Sequence, residues 1–134
     1  GDGTGGQQRV EGGALTESAP RGRFRVSSND VEEGGSGEFD QQAVVRLIQS
    51  RRSAIQACYE RELRQNPTLQ GRVAVAMTIQ ESGSVSGVRA AENSTGSDAV
   101  ASCVVRVVQG FRFSPGPEGG SVSYTFPFVF EPQG

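Results

Sequence analysis

Apolar residues follow regular spacings from about residue 39 onward and show little order before it. Beyond Phe39, Val44, Ile48, Ile55, Tyr59 and Leu63 recur at steps near multiples of 3.6, with Leu47 and Cys58 beside them. Asp40 is a residue type that caps helices. Pro67 stops the run, because the residue before a proline disfavours the helical backbone. The pattern predicts one helix over about 40–65, roughly 39 Å long at about 1.5 Å per residue. Glu60 and Arg64 are spaced four apart for an exposed face. From Gly71 to Gln80 the period changes to two: Val73, Val75, Met77 and Ile79 share one face of a strand. Glu81-Ser82-Gly83-Ser84 reads as a turn. A second strand follows through Val85, Val88 and Ala90, and its broken period predicts a bulge at Ser86-Gly87. A second helix is predicted over about 97–110, capped by Ser97 or Asp98, with Ala101, Val104, Val105, Val108 and Phe111 as its buried stripe. The last strand, Ser121–Phe130, alternates most strongly, through Val122, Tyr124, Phe126, Phe128 and Phe130.

The order is α-β-β-α-β, an α+β fold. A right-handed crossover through the second helix makes strands two and three parallel, with strand one between them. The expected sheet is three-stranded, in the order 2-1-3, with both helices on one face. Strand three is then an edge. Pro127 agrees, since proline is confined to edges and bulges.

Composition changes the picture mainly at the N-terminus. Ten of the 19 glycines lie in the first 37 residues, and residues 1–40 carry eight acids against four arginines. Such a tract buries too little apolar surface to offset its ordering entropy. Residues 1–38 are therefore expected to be a flexible acidic linker, and residues 39–134 the domain. Within the linker, Phe24 and Val26 alternate with arginine, which marks 22–28 as a candidate short strand. The chain does not begin with Met and shows no signal peptide or membrane-length apolar run, so it reads as a piece of a longer protein. Membrane contact is expected only through a segment outside it.

The chain has no His. That excludes a Ser-His-Asp triad, a Cys-His dyad and a His-ligated metal site within it. Gly83-Ser84-Val85-Ser86-Gly87 matches the nucleophile-elbow spacing, but it lies in a hairpin rather than between strand and helix. Gly1-Asp2-Gly3-Thr4-Gly5-Gly6 matches a dinucleotide fingerprint without a strand before it or a helix after it. Asn93-Ser94-Thr95 is a glycosylation sequon, meaningful only in a host that glycosylates. No catalytic residue, metal site or cofactor is expected, and an enzyme is disfavoured. A formal charge of −2 argues against nucleic acid. Arg46, Arg51 and Arg52 on the first helix suit either a solvated face or contact with an acidic partner. Cys58 and Cys103 fall on the two helices, beside their apolar stripes. They read as a disulfide or as two buried thiols; a bridge closing about 46 residues would contribute roughly 4 kcal/mol.

From Asp40 onward the chain resembles the C-terminal domain of the energy transducer TonB. The resemblance is carried by Gly71-Arg72-Val73-Ala74-Val75, by Ser82-Gly83-Ser84-Val85, by Phe111-Arg112-Phe113-Ser114-Pro115 after a Val-rich helix, and by the final alternating strand. More narrowly it resembles the AgmX/PglI branch, found at the C-termini of gliding-motility proteins such as GltJ and GltG. The residues there are Cys58-Tyr59-Glu60, Asn66-Pro67-Thr68-Leu69-Gln70-Gly71-Arg72-Val73, Cys103 and Tyr124-Thr125-Phe126-Pro127-Phe128-Val129-Phe130. Phe111 stands where that branch usually has Trp.

The resemblance implies a periplasmic domain of an inner-membrane-anchored transducer that grips an extended segment of an outer-membrane or periplasmic protein. Other subunits of an envelope motility complex are implied as partners. In TonB-like proteins the peptide adds to the third strand, which the residue pattern independently makes an edge. Ser121, Val122, Ser123, Tyr124, Thr125 and Phe126 are the candidate binding residues. The rival reading is a passive structural module that dimerises weakly through the same edge or binds cell wall.

Overall fold

The computed structural model describes residues 20–133. The part of the expected linker over 1–19 lies outside the described residues. Strand β1 (Gly22–Val26) and strand β2 (Glu32–Gly35) come first, joined through a single 3-10 turn at Ser28–Asp30. Helices α1 (Gln41–Ser50) and α2 (Arg52–Leu63) follow, then β3 (Gly71–Ile79), β4 (Val85–Asn93), α3 (Asp98–Gln109) and β5 (Val122–Pro132).

The single first helix expected over 40–65 is two helices. Asp40 does cap it, its carboxylate accepting from the Gln42 N–H at 2.9 Å. The break falls at Arg51, with φ −108° and ψ 19°. No apolar residue continues the stripe between Ile48 and Ile55 over Gln49-Ser50-Arg51-Arg52-Ser53, apart from Ala54. Ser50 Oγ donates to the Leu47 carbonyl at 2.7 Å, a backbone competition that bends helices. The second predicted helix is α3, capped by the Ser97 hydroxyl on the Val100 N–H at 3.2 Å.

The expected three strands are present with β3 between β4 and β5, but the sheet continues past β5. Its path is β1-β5-β3-β4, with β2 also on β5, and every pairing is antiparallel. The expected bulge in β4 is there: Ala76 faces Arg89 while Thr78 faces Ser86, so β4 carries an extra residue, and Gly87 sits at φ +59°. A second slip follows at Ala74/Val75.

The core lies between the sheet and the helices. Val122, Tyr124, Phe126, Phe128 and Phe130 of β5 are all buried there, with Val73, Val75, Met77 and Ile79 of β3. Tyr59 of α2 stacks near Phe130, ring centroids 5.0 Å apart, and its hydroxyl donates to the Leu69 carbonyl. Cys58 and Cys103 form a disulfide between α2 and α3, their Cα atoms 5.6 Å apart. The bridge fastens the helix layer that covers this face.

The edge expectation needs correction. Strand β5 is not free on its outer side, because the chain's own residues 22–35 pair along it. The start of the folded unit accordingly precedes residue 39.

Candidate functional site

The outer side of β5 is the site to which the sequence pointed. Its register fixes which backbone groups face outward. Pro127 O accepts from the Ser27 N–H at 3.1 Å, and Ser121 O accepts from the Gly37 N–H at 3.0 Å. By the two-residue period of a strand, residues 121, 123, 125, 127, 129 and 131 present their main-chain groups to this side. Strand β1 covers the C-terminal half, from Gly22 opposite Pro132 to Val26 opposite Phe128. Strand β2 covers the N-terminal half, from Glu32 opposite Thr125 to Gly35 opposite Val122. Glu38 and Glu118 then exchange N–H···O bonds of 2.7 and 3.1 Å.

The two halves part at Pro127. Between Val26 and Glu32 the chain makes its 3-10 turn, while β5 advances only from Phe128 to Thr125. Proline has no N–H, and here the missing donor faces outward. A partner strand gains nothing by staying in register at that point. The same residue that marks the strand as an edge thus also divides what binds there.

Of the expected binding residues, Val122, Tyr124 and Phe126 send their side chains into the core, while Ser121, Ser123 and Thr125 are half-buried. What they offer a partner is main chain. Ser123 Oγ meets Thr78 Oγ1 at 3.2 Å on the other face of the sheet. The Tyr124 hydroxyl donates to the Phe39 carbonyl at 3.3 Å. Burial pushes the Tyr124 hydroxyl up to about 12, with Glu33 and Asp40 adding to it. Burial likewise pushes Tyr59 up to about 12, Glu131 adding to it.

Helix α2 forms the other wall of the groove that holds β1. Residues 52, 56 and 60 lie four apart on one face. Arg52 Nη2 donates to the Phe24 carbonyl at 3.3 Å, Gln56 Nε2 to the Gly22 carbonyl at 2.6 Å, and Glu60 Oε2 accepts from the Gly22 N–H at 2.9 Å. Four helical residues advance about 6.0 Å and two strand residues about 6.8 Å, so such a row keeps step with alternate residues of a strand. These are the groups of β1 that do not face β5. This row has no signature in the residue pattern. Glu60 looked like a surface partner of Arg64, and only the presence of β1 gives it a role.

The three arginines weighed between a solvated face and contact with an acidic partner do not act together. Arg52 is turned onto β1: its guanidinium sits 4.8 Å over the Phe24 ring and bonds Gln49 at 2.9 Å. Arg46 pairs with Asp40 at 3.7 Å, both side chains well exposed. Arg51 is exposed at the helix break. Arg46 instead borders a cleft of about 620 Å³ between α1 and the loop before β5, floored by Phe39, Leu47 and Phe113. The motif-like segments are used structurally. Gly83 holds the β3–β4 turn at φ +93°, and Asn93 of the sequon accepts from Thr95 Oγ1 at 2.6 Å and donates to Ser97 O at 3.0 Å.

No curated protein and no solved structure matches the chain. A family model, the C-terminal region of the Gram-negative bacterial TonB protein, matches residues 59–132, from the middle of α2 to the end of β5. That span holds β3, β4, α3 and β5, while β1, β2 and α1 lie before it. Domains of this kind are periplasmic protein-interaction modules of Gram-negative bacteria. The match covers more than half of the sequence, and the chain belongs to the TonB C-terminal domain family.

Proposed function

We propose that this domain is the periplasmic gripping module of an inner-membrane-anchored, TonB-like transducer, and that it holds an extended segment of an outer-membrane or periplasmic partner along the outer edge of β5. The AgmX/PglI resemblance supports placing it in a gliding-motility complex of the cell envelope. The observation that carries the reading is that the outer edge of β5 receives extended chain on both sides of Pro127, over Val122–Thr125 and Phe128–Pro132. Its outward N–H and C=O groups bind main chain while its bulky residues stay fixed in the core, which is what β-augmentation requires. Each main-chain bond replaces one to water and nets only about 0.5–1.5 kcal/mol, so a grip of this kind is reversible. No catalytic role is assigned to any residue; the work done on the partner comes from elsewhere in the machine.

The test is an amide-shift titration of the full chain with periplasmic segments of candidate envelope partners. Shifts should appear at Ser121–Phe126 and in β1 and β2. Thr125→Pro, which removes an outward N–H, should abolish binding while the signals of β3, β4 and α3 stay in place. Shifts confined to Arg46 and Arg51, with normal binding by the Pro variant, would refute the edge reading.

A further inference from the structure

The groove between α2 and β5 holds β1 by side chains as well as backbone. At Gly22 a Cβ would come within 2.4 Å of the Tyr59 ring and 3.0 Å of Leu63. Gly22 does not have a positive φ, so it is the close approach, not backbone freedom, that requires glycine here. The Tyr59 ring cannot step aside easily, being fully buried and tied by its hydroxyl to the Leu69 carbonyl. Two residues on, Phe24 is 3% exposed, its ring centroid 6.0 Å from that of Phe128 and 5.8 Å from that of Phe130. Arg52 closes the pocket from above at 4.8 Å. Val26 packs against the same core, whereas Arg23 and Arg25 are exposed.

We propose that this groove selects an extended segment of the form glycine, any residue, phenylalanine, any residue, valine. Gly22–Val26 is its resident in cis, and a partner strand of the same form displaces it. Tyr59 excludes a side chain at the first position, the Phe128–Phe130–Arg52 pocket takes the ring, and the Arg52–Gln56–Glu60 row holds the outer main chain. This rests on the reading of the β5 edge as the partner surface and names the sequence accepted on its C-terminal half, opposite Phe128–Pro132, while the half over Val122–Thr125 pairs through main chain. The occupant on the page supplies the chemistry of the sequence. Displacement is made easier by β2, whose residues Glu32–Gly35 are all exposed and pair with β5 through main chain. Gly35 at φ +96° and the neighbouring Gly34 and Gly37 give the departing segment a hinge.

The probe is a synthetic peptide with the sequence of Pro20–Ser27, titrated into the isotope-labelled full chain. Two control peptides carry Val at the Gly22 position or Ser at the Phe24 position. The protein is compared with its Gly22→Val variant, in which the resident strand clashes with Tyr59, and with Phe24→Ser, which empties the pocket without a clash should the first fail to fold. Removing the resident raises the fraction of open sites, so the peptide should bind the variant at least about tenfold more tightly than the unaltered chain. The controls should bind at least about tenfold more weakly than the parent peptide, and shifts should map to β5 and α2. Controls that bind as well as the parent would overturn the selectivity while leaving the edge reading in place. No shift on β5 with any peptide in any variant would overturn both. A dimer of the unaltered chain in sedimentation that vanishes in the variant would assign the groove to a second copy and overturn the partner.

Discussion

Phe24→Ala separates the docking of the N-terminal strands from the stability of the rest. Phe24 is 3% exposed and lies among Phe128, Phe130 and Arg52. Truncating a buried Phe costs about 3–5 kcal/mol when the site cannot relax. Its aromatic and cation–π contacts add about 0.5–1 kcal/mol each. In the middle of β5 that full loss would fall on global stability. Strand β1, however, is bound on one side by β5 and on the other by three side chains of α2. Detachment of β1 as a unit would cap the loss at the free energy of docking. Native-state amide exchange should therefore show Arg23, Arg25 and Ser27 losing protection by about 3 kcal/mol or more. The amides of Val75 and Met77 in β3 should change by less than about 1 kcal/mol. Equal loss at every slow amide would refute this, and would make β1 part of one cooperative unit with the core.

Reducing the Cys58–Cys103 bridge should lower stability by about 2–4 kcal/mol in urea unfolding, because the unfolded chain regains a long loop; an unchanged midpoint would contradict this. The two tyrosines should resist ionisation until about pH 12, against about 10 unfolded. Their folded values are raised, so the stability they contribute is complete below about pH 10 and is lost as pH rises toward about 12. Tyrosinate absorbance should accordingly rise together with loss of the fold, and a normal titration near pH 10 in the folded protein would contradict the burial. Gly83→Ala should cost more than about 2 kcal/mol in thermal unfolding, since Gly83 has φ +93° and a Cβ would lie 1.9 Å from the Phe113 carbonyl oxygen.

Residues that announce themselves by period were the legible ones. The alternation of β3 and β5 read directly, and the broken step from Val85 to Val88 marked a real bulge; in α3 Ala101, Val104 and Val108 are buried as expected, but Val100 joins them and Val105 is only half-buried. The early end of α1 leaves no signature, because its polar stretch looks the same whether a helix continues through it or bends. The N-terminal strands were harder to see. Glu32–Gly35 has no apolar residue, so its pairing leaves no periodic trace; only Phe24 and Val26 hinted at β1. A strand added through main-chain bonds is nearly silent in sequence, and that silence made β5 look free. Pro127 was informative but ambiguous. It marks the outward face of β5, and an edge strand with a proline is as fit to be covered by its own chain as by another. The row Arg52, Gln56, Glu60 had no signature either, because polar residues four apart are what any solvated helix face shows.

The most direct test follows amide exchange in the full chain with and without a saturating excess of the Pro20–Ser27 peptide. The amides of Arg23, Arg25 and Ser27, which pair with β5 in the free domain, report whether the resident strand leaves. Those of Val129 and Glu131 report whether the edge stays filled. If the outer edge of β5 is a site that trades one strand for another, the first set becomes fast while the second stays slow. If the first set keeps its protection at saturation, the peptide has bound elsewhere, and the edge of β5 is a fixed part of the fold rather than the grip.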